Sequence, residues 1–373
     1  MKKIQFILMC ITVVCVLAGC NAKRNSGNPA TQSDAVKMDQ NQSTDQFPTQ
    51  YSAEDKNVTF SCEVLAPESP VLTVSTAKKA KVKCLELGEK MIADETIVQS
   101  TVWDSDGSDT VYDGKREITE QEIADNVEVM YSFGEQSLVN IGRNSLYLFK
   151  DWNSVTDVLK LGQEDEGYNG DLYKNNKGFD FCSKEKIVED LEELVHMYTN
   201  VEDIIETVYC VDSELLNKCK DPDRQKDSFS KDADGYYICM RQELQGIPVK
   251  GCDVDNYTEY AGNTPIIAYY TESGWREMII DGSMLYEFNT TDTEIELAQF
   301  EDVVKTVSDY YNSMITENTY EVYRATLYNF VKKNGEVIPV WIFKTYERYP
   351  DGYFRCDQLD IHAVTGEVFT VYD

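Results

Sequence analysis

The chain of 373 residues carries 35 Lys+Arg against 66 Asp+Glu, a formal net charge of −31. That balance excludes nucleic acid as a partner, because phosphate binding needs a basic footprint, and anionic lipid head groups are repelled for the same reason. A content of 24 Tyr, 14 Phe and 4 Trp supplies the apolar mass for sizeable cores, and the length suits two or three domains.

The first element reads as a targeting signal. Lys2 and Lys3 precede an uncharged apolar run, Ile4 to Leu17, that is shorter than the roughly 20 residues needed to span a bilayer. It ends in Leu17-Ala18-Gly19-Cys20, which resembles the lipobox of bacterial lipoproteins. The resemblance implies cleavage before Cys20, diacylglycerol on its thiol and a place on the outer face of the cell membrane. Two acyl chains anchor a protein stably where one does not. Residues 20–57 are rich in Asn, Gln, Ser, Thr and Asp and poor in large apolar side chains. Such a segment cannot offset its ordering entropy, and is expected to be a disordered tether spanning roughly 35 Å root-mean-square. No second apolar run of spanning length follows, so the remainder is expected outside the cytoplasm.

Of 11 cysteines, Cys10 and Cys15 leave with the signal and Cys20 is the lipid site. Cys62, Cys84, Cys182, Cys210, Cys219, Cys239, Cys252 and Cys356 remain, an even set that permits disulfides outside the cytoplasm. Bridges among Cys210, Cys219, Cys239 and Cys252 are the favoured ones. The alternative stays open that several, lying mid-strand, are small buried hydrophobes.

Val58 to Ala66, VTFSCEVLA, alternates as a half-buried strand does, and Pro67 and Pro70 end it. A helix is expected near Lys79 to Ile92. Thr96 to Trp103 can pair with Thr110 to Tyr112 across DSDGSD, and Ser137 to Ile141 with Ser145 to Phe149 across Gly142 and Asn144. The polar run Gly162 to Lys177 marks a boundary. Ser183 then caps a helix in which Ile187, Leu191, Leu194 and Val195 share a face, and His196 at its end suits the negative pole of the helix dipole. Strands are expected at Ile204 to Val211, Tyr236 to Leu244, Ile266 to Thr271 and Trp275 to Ile280. The C-terminal part repeats the order, with a helix over Ala298 to Met314 and strands over Tyr320 to Val331, Val337 to Tyr346 and Phe354 to Ala363. The turn Thr365-Gly366 leads into a closing strand, Glu367 to Tyr372.

Helix-then-strands order, met twice and accompanied by IPV at 247–249 and 338–340, predicts an α+β fold of helix-plus-antiparallel-sheet modules after a disordered tether, with duplication suggested. The expected partition is a signal peptide over 1–19, a lipid-anchored tether over 20–57, an N-terminal α+β domain over 58–178, a middle module over 179–290 and a C-terminal module over 291–373.

The C-terminal pattern of helix, long strand, NGEVIPVWIF, PDGY and LDIHAVTGEV is similar to the C-terminal part of YycH/YycI-type regulatory proteins. More loosely it resembles PepSY modules, whose closing hairpin has the same Thr-Gly-Glu-Val character. Lipobox, polar tether and VTFSCEVLAP together resemble uncharacterised clostridial-type surface lipoproteins of Gram-positive bacteria. These resemblances imply a regulatory or binding module that acts on another envelope protein or peptide.

Catalytic constellations are sparse. Ser183-Lys184-Glu185-Lys186 matches S-x-x-K at a helix start, but Lys333-Asn334-Gly335, set at a hairpin tip, lacks the hydroxyl that the third motif of such enzymes requires. G-x-S-x-G does not occur, and His196 and His362 offer little material for a triad or a histidine zinc site. Asp104, Asp106 and Asp109 surround Gly107 as a calcium loop would, yet the EF-hand spacing fails and a tight turn demands the same residue types. Asp232, Asp234 and Gly235 read the same way. In the last strand Leu359, Ile361 and Ala363 face a core, which leaves His362 on the polar side. The expectation is a membrane-anchored, extracytoplasmic, non-catalytic module with no cofactor and no metal site, binding an envelope protein or peptide. A carboxylate-based envelope hydrolase and a lipoprotein that captures a cation or small solute are the alternatives.

Overall fold

The spine of the fold is one long hairpin, to which strands from distant parts of the chain attach. The computed structural model describes residues 47–67, 70–134, 137–150, 155–159, 177–202, 204–220, 228–251 and 264–370. Its early strands are β1 (Gln50–Asp55), β2 (Val58–Leu65), β3 (Leu72–Lys79), β4 (Gln99–Trp103), β5 (Asp109–Asp113), β6 (Glu128–Ser132), β7 (Leu138–Ile141) and β8 (Ser145–Phe149). The later ones are β9 (Ile204–Val211), β10 (Gly235–Leu244), β11 (Ile247–Gly251), β12 (Ile266–Thr271), β13 (Gly274–Asp281), β14 (Tyr286–Ile295), β15 (Thr319–Val331), β16 (Glu336–Arg348) and β17 (Phe354–His362). The helices are α1 (Cys84–Met91), α2 (Glu120–Ala124), α3 (Val155–Leu159), α4 (Lys184–Tyr198), α5 (Ser213–Cys219) and α6 (Phe300–Asn312).

Strand makes up 47% of the described chain and helix 21%, and the strands join in one mixed sheet of 17. The α+β architecture of helix-plus-antiparallel-sheet modules is therefore overturned in favour of a mostly β molecule. The reason is physical. The amphipathic helices α4 and α6 give strong periodic signals, but each only covers a face of a ladder whose strands come from several parts of the chain. β3 and β14, which have no counterpart in the sequence reading, complete that ladder.

β15 and β16 pair from Thr319↔Arg348 to Val331↔Val337. Their Val, Ile, Phe and Tyr content suits a half-buried pleated surface, and the turn closes on Gly335 at φ +84 with Gly335 N–H donating to Lys332 O at 2.8 Å. At the open end of the hairpin β2 lies parallel to β15 and carries β1 outside it, while β17 pairs with β16. At the turn end β11 lies parallel to β15, and β3 pairs with both β16 and β14. Thus β2 and β3, from the 58–178 stretch, pair with strands of the 291–373 and 179–290 stretches, and β1 takes six residues from the stretch 20–57. α6 covers one face of this ladder with Phe300, Val303, Val304 and Val307, which pack on Phe60, Val322, Trp341 and Phe343. Leu359, Ile361 and Ala363 join that core, and His362 points away from it.

The second ladder is antiparallel throughout, in the order β5-β4-β6-β7-β8-β13-β12-β10-β9. Both faces are buried around β10, so its sequence GYYICMRQEL is nearly continuous in apolar character. Tyr236, Ile238 and Met240 face α1 and α4, whereas Tyr237 and Cys239 face α3 and α5. Cys210 lies on the first face and Cys239 on the second, so these two cannot bridge. Cys252 lies outside the described residues. Cys62 and Cys84 are buried thiols, and burial pushes them up to about 11 and about 12.

The β10–β11 hairpin joins the two ladders through Gln245 and Gly246, both at positive φ as a type I′ turn requires. Buried side-chain amides stand in for strand hydrogen bonds at the join. Gln242 accepts from Tyr286 N–H at 2.7 Å and donates to Tyr286 O at 2.8 Å, and Asn329 donates to Leu244 O at 2.7 Å. Among the described residues the expected closing strand, Glu367 to Tyr372, is a single bridge, Ile361↔Val368, and residues 371–373 lie outside the described set. Cys20, the signal segment and the Gly162–Lys177 boundary up to residue 176 also lie outside it. Among the described residues no helix is long and apolar enough to cross a membrane.

Candidate functional site

The motifs singled out in the sequence resolve into local structure. Ser183 Oγ accepts from Lys186 N–H at 3.2 Å as the N-cap of α4, while Lys186 Nζ donates to Asp190 at 2.6 Å and Glu189 at 3.3 Å. The amine thus serves two carboxylates and not the Ser183 hydroxyl. Around the β4–β5 turn, Gly107 takes φ +81, its N–H donates to Asp104 O, and Asp106 accepts from Ser108 N–H at 2.9 Å. Asp234 accepts from Ser213 N–H at 2.7 Å and so fastens the start of α5. Among the described residues no group of three or more His, Cys, Asp or Glu is placed to hold a metal. His196 Nδ1 sits 3.1 Å from Val201 O, in the segment after α4, rather than on its own helix's carbonyls.

His362 accepts from Val364 N–H at 3.2 Å and Thr365 N–H at 3.4 Å through Nδ1, beside the Phe369 ring. Burial holds its imidazole below the ordinary value of 6.5, against the opposing pull of Glu336. The folded state then binds this proton more weakly than the unfolded chain does. Its contribution to stability is complete above 6.5 and is lost as pH falls from there to the folded value. An NMR titration is expected to give His362 a midpoint under 6.5, and His362→Gln is expected to flatten stability against pH in that window. A midpoint at or above 6.5 would contradict the assignment.

Glu347 is a buried carboxylate with several donors around it. It is 5% exposed and accepts from Asn318 at 2.7 Å, Tyr320 at 3.3 Å, Tyr349 at 3.1 Å and Arg355. Burial alone would raise its pKa, but these donors outweigh it and hold the carboxyl below its usual range. A carboxylate fixed by four donors is a structural acceptor, poorly suited to taking or giving a proton in a reaction.

A groove of about 450 Å³ lies beside β15, where β2 leaves that strand and β11 takes over. The pairing of β2 ends at Leu65 opposite Thr326, and Pro67 has no N–H with which to extend it. The pairing of β11 begins at Val249 opposite Asn329. Between them the face of β15 turned away from α6 presents Arg324, Thr326 and Tyr328, which alternate with the core residues Ala325 and Leu327. Lys344 stands directly opposite Arg324 on β16, and Ile342 opposite Thr326. Leu65, Ala66 and Pro67 line one side. Ile205 and Arg241, a cross-strand pair of β9 and β10, line the other with Gly246 and Pro248.

The described lining therefore joins apolar walls to the cations Arg241, Arg324 and Lys344, and includes no carboxylate, thiol or imidazole. Sequence reasoning does not single out these residues. The signal available was a cation in the middle of an otherwise apolar strand, in YICMRQEL, YRATLYNF and VWIFKTY, but only the tertiary pairing shows that the three converge.

No family profile matches the sequence, and no curated protein does either. Among solved structures, an uncharacterised protein from Eubacterium rectale superposes with a TM-score of 0.55 at 18% identity, covering 87% of this chain and 94% of that one. A weaker similarity, with a TM-score of 0.27 and 9% identity, is to the Bacillus megaterium YpeB C-terminal domain, covering 69% of this chain and 97% of that one. The Eubacterium rectale protein and this chain share a fold.

Proposed function

We propose that the chain is a non-catalytic binding module, carried outside the cell membrane by a lipid on Cys20, that docks an envelope protein or peptide in the groove beside β15. The observation that carries this reading is the groove itself, a trough open to solvent with apolar walls and convergent polar groups. Leu65 on its rim is 41% exposed, an apolar surface of the kind that partners cover. A hydrolase built on paired carboxylates has less support, since the described lining supplies none and Glu347 is engaged elsewhere. The resemblance of NGEVIPVWIF and LDIHAVTGEV to YycH/YycI-type and PepSY modules agrees with a regulatory role for the docking.

The test is co-purification of the lipidated protein from native membranes in mild detergent, with Cys20→Ala as the untethered control. A partner recovered with the wild type is expected to fall about tenfold with Leu65→Asp, the equivalent of about 1.4 kcal/mol, at an unchanged thermal midpoint. Equal recovery with Leu65→Asp, or no partner from any form, would overturn the reading.

A further inference from the structure

The second ladder ends in β9 on one side, whose Ile205 lines the groove, and in β5 on the other. Among the described residues β5 pairs with β4 alone, and all five residues of DTVYD are exposed. The hydrogen-bond phase of this hairpin is fixed at both ends. Asp104 N–H donates to Ser108 O at 2.9 Å, and Gly114 N–H donates to Val98 O at 3.0 Å. Antiparallel alternation then turns the backbone groups of Thr110 and Tyr112 towards β4 and those of Asp109, Val111 and Asp113 outward. Natural sheets commonly blunt such an edge with lysine, proline or a bulge. β5 has neither residue, and its register with β4 is unbroken. Apolar side chains stand exposed on both of its faces, Val111 at 57% on one and Tyr112 at 39% on the other. The charge around the edge is of one sign, since residues 99–113 hold four aspartates and no lysine or arginine. Lys115 and Arg116, just beyond, are held by Glu89, Glu117 and Glu122.

We infer that the free edge of β5 accepts a β-strand of another protein, one that carries a lysine or arginine two residues to either side of an apolar residue. The outward amides and carbonyls of Asp109, Val111 and Asp113 supply the new ladder, as in strand addition at other sheet edges. The side chains of the same three residues share one face, so they read the incoming strand at alternate positions. Opposite charges directly across a ladder stabilise it, and an apolar partner covers Val111. The same charges argue against a second copy of this chain. Antiparallel self-pairing centred on Val111 places Asp109 of one copy against Asp113 of the other at both ends, and like charges so opposed weaken a sheet. The aspartates thus reject this strand's own kind and admit a cationic one, which is how charge sets specificity at an interface. This surface lies at the opposite end of the ladder from the groove beside β15 and does not depend on the function proposed for it.

The test uses the full-length chain in non-ionic detergent and a disulfide-closed hairpin peptide whose free edge reads lysine-threonine-valine-threonine-lysine. Closing the hairpin orders the strand before it binds and so lowers the entropic cost of docking. Two further peptides separate the contributions. One has glutamate in place of both lysines, and the other keeps the lysines but is N-methylated at the amides of its free edge. Fluorescence anisotropy is expected to show saturable binding of the lysine hairpin that weakens as salt is raised. The glutamate and N-methylated peptides are each expected to bind about tenfold more weakly or worse on the unaltered chain, which keeps the result independent of any folding defect in a variant. The double variant Asp109→Asn, Asp113→Asn is expected to lose about tenfold for the lysine hairpin. Residue-resolved amide exchange should slow at Asp109, Val111 and Asp113 on binding and change less at Thr110 and Tyr112, whose amides already face β4. No saturable binding of the lysine hairpin, or equal binding of the glutamate peptide, would overturn the inference. Equal binding of the N-methylated peptide would also overturn it, because charge attraction without strand pairing would then explain the result. A dimer in sedimentation that the lysine hairpin dissociates would assign the edge to a second copy of this chain instead.

Discussion

Replacing Trp341 with alanine is expected to cost about 3–5 kcal/mol of folding stability, the range for truncating a fully buried large aromatic side chain. Trp341 has no exposed surface, and its ring lies 5.1 Å from both Phe47 and Phe300. It therefore joins three parts of the chain: the segment leading into β1, helix α6, and the central hairpin. A cavity at that point forfeits contacts on all three, and the surrounding strands cannot collapse inward without breaking register. One detail separates packing from polarity. The indole Nε1 is buried with no hydrogen-bond partner, so truncation strands no acceptor, and Trp341→Phe removes an unsatisfied donor while keeping most of the ring. Urea unfolding should accordingly rank wild type near Trp341→Phe and both far above Trp341→Ala, with the midpoint moving and the slope unchanged. A phenylalanine variant as unstable as the alanine one would show that ring volume is not what Trp341 contributes.

Local pattern made many elements legible. Ile204–Val211 and Ile266–Thr271 are strands over the ranges their residue types predict, and Ser183 caps α4 as its position suggests. The pairing of those elements was not legible. The parallel contact of β2 with β15 brings Val58 opposite Tyr320, and a contact of such sequence separation leaves no trace in local periodicity. β14 escaped notice because YEFNTTDTEI is largely exposed and polar, with little of the alternation that marks a strand covered on one side. β3, LTVSTAKK, ends in lysines that suit an amphipathic helix equally well. Treating helix and strands as sequential modules followed from reading proximity along the chain as proximity in space.

The groove was hidden for the same reason. Arg241, Arg324 and Lys344 each occupy the position of an ordinary outward-facing strand residue. What makes them a set is the handover from β2 to β11 along β15, which opens a gap that the buried amide of Asn329 closes only at one end. His362 and the S-x-x-K match, which draw the eye in the sequence, are instead spent on a turn and a helix cap.

Replacing Glu277 with alanine is expected to release helix α3 and to cost about 3 kcal/mol, since hydrogen bonds to a charged group contribute about 1.5–3 kcal/mol each. Glu277 on β13 is 3% exposed, and its carboxylate accepts from Val155 N–H, from Thr156 N–H at 3.2 Å and from Thr156 Oγ1 at 2.8 Å. A helix of five residues is too short to persist by its own hydrogen bonds. α3 persists because a strand side chain far away in sequence caps its first amides, and because Val155, Val158 and Leu159 pack against Ile267 and Ile279. Alanine leaves two amides and a hydroxyl in the interior without their acceptor. Glutamine keeps one oxygen in place and loses mainly the charge that complements the helix terminus, a change of about 1 kcal/mol. Amide hydrogen exchange over residues 155–159 should therefore quicken strongly in Glu277→Ala and only modestly in Glu277→Gln, with urea midpoints in the same order. Unchanged exchange in the alanine variant would mean that apolar packing alone holds α3, and the cap would then be incidental to the fold.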